Sequence, residues 1–407
     1  MFWRFLTAST ISNAGAGVSA VAVPLVAVTI LHASTFEVSL ITAAGYGAWL
    51  LIGLPAGVLV GRFPLRSTQV AMDLLRAVAL VSVPLAAWAD ALTLVHLVVV
   101  ALTVSLASVV FDVGNSTFLA SIVSRDELTD RNSLMSASYS VTQVGGPSLG
   151  GLLVQFFGAA TSIVVDVVSY LISAVLLMGL PRPSPVTPNS AITIREQIRD
   201  GWRFSVSHPV IGPCMALVTA INFIDGARIA LAPVFLVRTL GVPAGLVGLL
   251  LATEGLGSVI GASLTPRLVR RFGSARTLVL AVQASVPSLL LLPLAAPGNR
   301  VALFALGNGG FAAAVVVISV ITRTNRQMVT PHELLPRVMA TVRFVSWGII
   351  PFGAVAGGAA GSTLGVRTGL GFGALVAAIA GLVLLRSPMA HMRDLTEATP
   401  QAHGPAL

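Results

Sequence analysis

Asn222, Asp225 and Arg228 stand at i, i+3 and i+6 inside the apolar run 210–237. That spacing puts all three on one face of a helix. A charge at bilayer depth costs at least about 2.5–3.5 kcal/mol on insertion scales, so such residues turn toward a bundle interior or toward water. Two readings stay open here. Asp225 and Arg228 can neutralise each other as an internal salt bridge. They can equally line a cavity, bind substrate or take part in proton coupling. Glu254, in the next apolar run, has no partner on its own helix. A lone carboxyl in such a setting can couple transport to protons if it changes ionisation as its exposure changes. Asp112, Asn115 and Ser116 lie toward one end of the run 92–120 and suit a gate. Ser136, Tyr139 and Gln143 give the run 133–157 a polar face, consistent with interhelix hydrogen bonds as much as with a cavity. Asp166, in the run 160–180, reads as a packing residue.

The elements that must hold these residues are membrane spans. The 407 residues are 55% hydrophobic and 10% charged, with a mean hydropathy of +0.92. Soluble domains carry about 25% charged residues. A span needs about 20 apolar residues. The sequence predicts twelve, at 6–31, 38–60, 69–89, 92–120, 133–157, 160–180, 210–237, 245–266, 277–296, 301–322, 338–364 and 368–386. The first follows Arg4, is too long for a signal-peptide core, and reads as a retained span. All 24 basic residues are arginine, which excludes a Walker A lysine and a Schiff-base lysine. One cysteine, Cys214, and six scattered histidines offer neither a disulfide framework nor a metal site, and no cofactor is expected.

The net charge of +9 would suit nucleic acid, but its distribution argues against that partner. Of the 24 arginines, Arg228 lies within a span and Arg238, Arg300 and Arg367 fall at alternate connections. The other 20 gather in the remaining connections, the tails and the adjoining helix ends. This is the positive-inside pattern, and it places both termini in the cytoplasm of a multi-pass protein of the cell membrane. The longest polar stretch, 181–209, divides an N-terminal six-span half (1–180) from a C-terminal one (210–386), with a cytoplasmic tail at 387–407. Four prolines in 181–188 make an extended linker. A Thr193-x-x-Glu196 capping box then starts a helix. Its apolar stripe is Ile194, Ile198 and Trp202, beside a cationic stripe of Arg195, Arg199 and Arg203. Such a helix either lies on a lipid surface or is an ordinary exposed linker.

The halves repeat. Gly53-x-x-x-Gly57 and Gly257-x-x-x-Gly261 are each followed by arginines, and Glu127-Leu-x-x-Arg131 returns as Glu333-Leu-x-x-Arg337. Two six-span halves related by a parallel repeat are a transporter plan with the substrate site between them. Small-residue ladders at Gly53/Gly57/Gly61, Gly146/Gly150, Gly257/Gly261 and Gly353/Gly357/Gly361 fit either tight packing or a rocking interface between the halves.

The stretch from Gly53 through Gly57 and Gly61 to Arg62 and Arg66, followed by Asp73-Leu-Leu-Arg76, resembles the loop 2–3 signature of the major facilitator superfamily. With Arg131-Asn132-Ser133, Gly146-Pro147, Asp166 to Tyr170 and Pro331 to Arg337, it is similar to the drug:proton antiporters that include macrolide and siderophore exporters. The resemblance covers nearly the whole chain and implies an all-α membrane protein with twelve transmembrane helices in two six-helix halves. It also implies a gating motif at Gly57, Arg62, Arg66, Asp73 and Arg76. Gly61 stands where the signature usually has an aspartate, which leaves Asp73 as the surviving counter-ion.

The resulting expectation is a secondary active transporter and not an enzyme. It would export a hydrophobic drug-like compound or siderophore by alternating access, coupled to protons, as a monomer in the lipid bilayer. Asp225, Arg228, Glu254, Asn222 and Asp112 are its candidate cavity and coupling residues. A facilitator or importer of the same fold is the alternative; a non-transporting receptor would carry a soluble domain or long loop.

Overall fold

The computed structural model describes residues 1–53, 56, 63–123, 127–181, 194–331 and 333–395. Among them, apolar runs become helices because a helix satisfies every backbone polar group within one segment, as lipid requires. The N-terminal half is α1 (Phe2–Thr29), α2 (Thr35–Ile52), α3 (Leu65–Trp88), α4 (Leu94–Ile122), α5 (Leu128–Phe157) and α6 (Ala159–Met178). The linker helix α7 (Ile194–Ser207) follows. The C-terminal half is α8 (Ile211–Val234, extended by a π turn at Phe235–Thr239), α9 (Ala244–Phe272), α10 (Ser274–Leu294), α11 (Ala302–Val329), the broken span α12 (Leu335–Gly348) and α13 (Ile350–Thr363), and α14 (Val366–Arg386). Among the described residues, eleven segments are long and apolar enough to cross a membrane. The twelfth crossing, α5, has 30 residues and the polar face expected from Ser136, Tyr139 and Gln143.

Local chemistry sets the turns. Ser34 and Glu37 form a reciprocal capping box at the start of α2, with Ser34 N–H donating to Glu37 Oε2 at 2.6 Å. Gly158 (φ +82°) joins α5 to α6, and Gly365 (φ +89°) joins α13 to α14. Both sit in a region that L side chains rarely adopt, and they occupy equivalent turns of the two halves. The lateral surface is apolar, with Val78, Val95, Phe156, Val175 and Val383 exposed, as a lipid-facing wall requires.

The halves meet at the arginine-poor end. There Arg238 Nη2 donates to Val28 O (3.3 Å) and Gly245 N–H donates to Gln155 Oε1 (3.1 Å). α5 and α9 stay in contact from these residues down to Gln143 and Gly255. Nearer the arginine-rich end they lose mutual cover: Tyr139 is 52% exposed and Val141 is 70% exposed. Across the middle, Trp49 of α2 and Trp347 of α12 meet edge to face at 5.0 Å. The Arg343 guanidinium lies 4.3 Å from the Trp49 ring centroid and 5.0 Å from that of Trp347.

Among the described residues, the glycine ladders pack mostly within a half, and only Gly361 also meets the other half, at Thr35 of α2. A Cβ on Gly257 or Gly261 would collide with Gly309 or Ala313 of α11, in the same half. Gly353 and Gly357 face Phe223 and Ala227 of α8, and Gly146 and Gly150 face α1. The seam instead uses Gly151 against Gly248, Gly255 against Gln143 and Val144, and Gly358 against Ser39. Of the two readings that the spacing left open, these contacts favour tight packing within a half. Gly57 and Gly61 lie outside the described residues.

On α7, Gly201 and Ser205 are buried, and Gly201 sits against Arg337 and Thr341 of α12. Arg337 Nη1 donates to Asp200 Oδ2 at 2.9 Å and ties the linker helix to α12. Ile198, Trp202 and Val206 form an exposed apolar stripe beside exposed Arg199 and Arg203. Thr193 and the side chains of Ile194 and Arg195 lie outside the described residues.

Candidate functional site

Arg228 organises the centre. Its guanidinium donates to Asp225 Oδ1 through Nε (2.8 Å) and Nη2 (2.7 Å), and to Glu254 Oε2 through Nη2 (2.8 Å). Nη1 donates to Asn308 Oδ1 of α11. Asn308 is held in turn by its amide, which donates to Thr253 Oγ1 at 3.1 Å. Three helices of the C-terminal half, α8, α9 and α11, thus converge on one cation. Two carboxylates share a single guanidinium, so the cluster holds one more negative than positive group.

The members differ in exposure. The Arg228 side chain is 3% exposed, that of Asp225 19% and that of Glu254 42%. Arg228 and Glu254 line a cavity of about 220 Å3 between the halves, walled by Ala20, Pro24, Tyr46 and Gln143 on the other side. Ala20, Pro24, Tyr46 and Ile229 also border a second cavity of about 440 Å3 within the N-terminal half. Its polar lining includes Ser19, Ser105, Asp112, Tyr139 and Asp166. The chamber therefore has a carboxylate face in each half and an apolar, aromatic wall between them. Its shape suits a molecule that is largely apolar with a few polar groups.

The pairing of Asp225 with Arg228 follows their spacing. Glu254 is not isolated, as its own helix suggested, because its cation arrives from α8. Asn222 leaves the charged cluster: its Nδ2 donates to Ser346 O at 2.6 Å and clips α8 to α12. Asn308 was missed, although an asparagine flanked by glycines in an apolar span was a visible signal. Asp112 opens on the larger cavity, within electrostatic reach of Arg76 and Arg343. Asn115 accepts from Ser9 Oγ at 3.4 Å; the side chain of Ser116 lies outside the described residues.

The residues expected to form a gating motif divide. Gly57 and Arg62 lie outside the described residues. Arg66 Nη1 donates to Met178 O (3.2 Å) and Leu180 O (2.8 Å), capping the carbonyl end of α6. Asp73 is fully buried and ion-paired to Arg76. The Arg76 guanidinium lies 4.2 Å from the ring centroids of both Phe111 and Tyr170. This pair knits α3 to α4 and α6 inside the N-terminal half, away from the arginine-rich surface where the resemblance would put a latch.

The fold agrees with the comparisons to known proteins. A family model described as transmembrane secretion effector, within the major facilitator superfamily, matches residues 1–407. The chain belongs to this family. It is a multi-pass membrane transporter. An uncharacterized transporter of the superfamily from Bacillus subtilis, YfiS, is 24% identical over 64% of this chain. The match spans 63% of that relative, less than two thirds of its length. The multidrug efflux pump Tap of Mycolicibacterium fortuitum is 23% identical over 71% of this chain and 73% of its own. Among solved structures, the nucleoside transporter NupG is similar with a TM-score of 0.77, at 12% identity, over 96% of this chain and 99% of that one. A bacterial homologue of the iron transporter ferroportin in an inward-facing state gives 0.75, at 15% identity, over 95% and 98%. At these identities the structural likeness speaks for the fold alone.

Proposed function

We propose that this transporter is an exporter that moves small, largely apolar molecules out of the cell by alternating access, driven by inward proton flow. The observation that carries the reading is the shared guanidinium of Arg228, with Glu254 opening on the chamber between the halves. Two carboxylates on one cation leave one of them able to take up a proton or a cationic group without stranding a buried charge. The halves 1–180 and 210–386 move as bodies, joined by the linker 181–209, and the arginine-rich end faces the cytoplasm. In that orientation the described chamber opens inward. The likeness to proteins named multidrug efflux pumps supports export of drug-like molecules. The protein works as a monomer in the cell membrane with both termini cytoplasmic.

The roles of the two carboxylates separate by substitution. Glu254→Gln is expected to abolish concentrative transport driven by a pH gradient while leaving downhill exchange. Asp225→Asn, which removes the charge behind two of the bonds that hold Arg228, is expected to impair both. The assay is flux in proteoliposomes with and without an imposed gradient, using a compound selected by a growth-inhibition panel. Gradient-driven accumulation by Glu254→Gln would refute the assignment. A facilitator or importer would give downhill flux with no response to the gradient, or accumulation in the opposite sense.

A further inference from the structure

Asp166 occupies an unusual place for a carboxylate. Its side chain is fully buried on α6, yet it lines the 440 Å3 cavity of the N-terminal half. Ser169 Oγ lies 3.1 Å from Oδ1 and donates to it, while Oδ2 has no hydrogen-bond partner. Ser19 of α1 faces the carboxyl and is the hydroxyl nearest to bonding it from outside α6, though not in good hydrogen-bond geometry. Gly15 brings α1 this close: a Cβ there would collide with Asp166 Oδ1 and Ser169 Oγ. Packing alone would not call for an acid at this spot.

The charges around it do not balance. Arg76 and Asp73 face Asp166 from α3 and Tyr170 from its own helix, while Asp112 of α4 faces the same Arg76 and lines the same cavity. Arg76 is already committed. It is ion-paired to Asp73 and lies against the rings of Phe111 and Tyr170. Among the described residues, no cation stands within salt-bridge distance of Asp166. Three carboxylates thus surround Arg76, and the second cation in reach, Arg343, faces Asp112 and not Asp166. An ionised carboxylate with an unsatisfied oxygen and no counter-charge is strongly disfavoured in such a setting, and it escapes the cost by taking a proton. A neutral carboxylic acid has the O–H that a polar cavity can accept.

We propose that Asp166 is a second proton site of this transporter, protonated in the form open toward the arginine-rich end and exchanging that proton through the N-terminal cavity. The proton passes between Oδ2 and water in the cavity. Since Arg76 stays paired to Asp73, that water solvates the charge left behind on Asp166. Its place in a transport cycle rests on the proton-coupled reading above; its protonation does not. Glu254, on the other wall of the chamber, is ion-paired and is not this site.

Infrared difference spectroscopy of the purified protein at neutral pH reads the protonated carboxyl directly through its C=O stretch. Asp166→Asn is expected to remove one such band, and Glu254→Gln is expected to leave it. Ser169→Ala, which deletes the hydroxyl bonded to Oδ1, is expected to shift the band and is the decisive variant if Asp166→Asn cannot be recovered folded. A band unchanged in Asp166→Asn, or unmoved in Ser169→Ala, would overturn the proposal. So would its loss in Glu254→Gln. Failure of Glu254→Gln to alter gradient-driven flux, with the Asp166 band intact, would instead overturn only the coupling role given to Glu254.

Discussion

Asn308 shows how much of the central site depends on an uncharged residue. It accepts from Arg228 and is itself anchored to Thr253 and, through its amide, near the carbonyls of Leu250 and Leu251 at 3.4 Å. Asn308→Ala would leave one guanidinium N–H without its acceptor in a buried position. A buried donor left unsatisfied costs about 1–3 kcal/mol. The variant is therefore expected to lower the thermal midpoint in detergent and to loosen Arg228, weakening downhill as well as driven flux. Unchanged stability and flux would show that Asp225 and Glu254 suffice to hold Arg228. At this scale the sequence was only half legible. The Asp225–Arg228 pair lies on one helix, so spacing revealed it. The Arg228 partners on α9 and α11 depend on which helices pack together, and periodicity within one helix carries no such information. The cavity position of Asp166 was hidden for the same reason.

Among the elements, glycine contacts separate folding from movement. Gly257 and Gly261 press α9 against α11 within one half, whereas Gly248 presses α9 against Gly151 of the other half. Overpacking a tight intramolecular contact disrupts the fold, while bulk at a seam between moving bodies shifts their balance. Gly261→Leu is expected to reduce the yield of folded protein. Gly248→Leu is expected to fold, to lose transport and to expose Gln155 to aqueous reagents from the arginine-poor side, read by thiol labelling of Gln155→Cys. Normal transport by Gly261→Leu, or a buried Gln155→Cys in the Gly248→Leu background, would contradict this division.

The linker helix makes a different claim at the same scale. Ile198, Trp202 and Val206 are 36%, 49% and 52% exposed, a large apolar stripe to leave in water. With Arg199 and Arg203 alongside, the face fits an anionic lipid surface. In a variant retaining Trp202 as its one tryptophan, brominated lipid is expected to quench its fluorescence, more so in anionic than in neutral bilayers. Fluorescence insensitive to brominated lipid would leave α7 as an ordinary exposed linker. The amphipathic stripe was plain in the sequence, because its period needs no partner. The Asp200–Arg337 tie to α12 was not, since it joins residues far apart in the chain.

For the whole molecule, span number was legible because lipid imposes one simple rule on length and hydropathy. Relative placement of the halves was not, since it depends on surface complementarity along the seam. That placement carries the central claim: the two halves close alternately around a chamber bearing Glu254 and Asp166. In the described form the seam is shut at Gly151 and Gly248, while Ser136 of α5 and Ser263 of α9 are exposed nearer the arginine-rich end. Spin labels at Ser136→Cys and Ser263→Cys report one end of the seam, and labels at Phe157→Cys and Val242→Cys report the other. The native Cys214 is buried, so its labelling background is low. Pulsed dipolar distance measurements in proteoliposomes, repeated across a pH series, are the most direct test. The first distance is expected to shorten as the second lengthens, with Glu254→Gln losing the pH response. Two distances that stay fixed with pH, or that change in the same direction, would contradict alternating access coupled to protons.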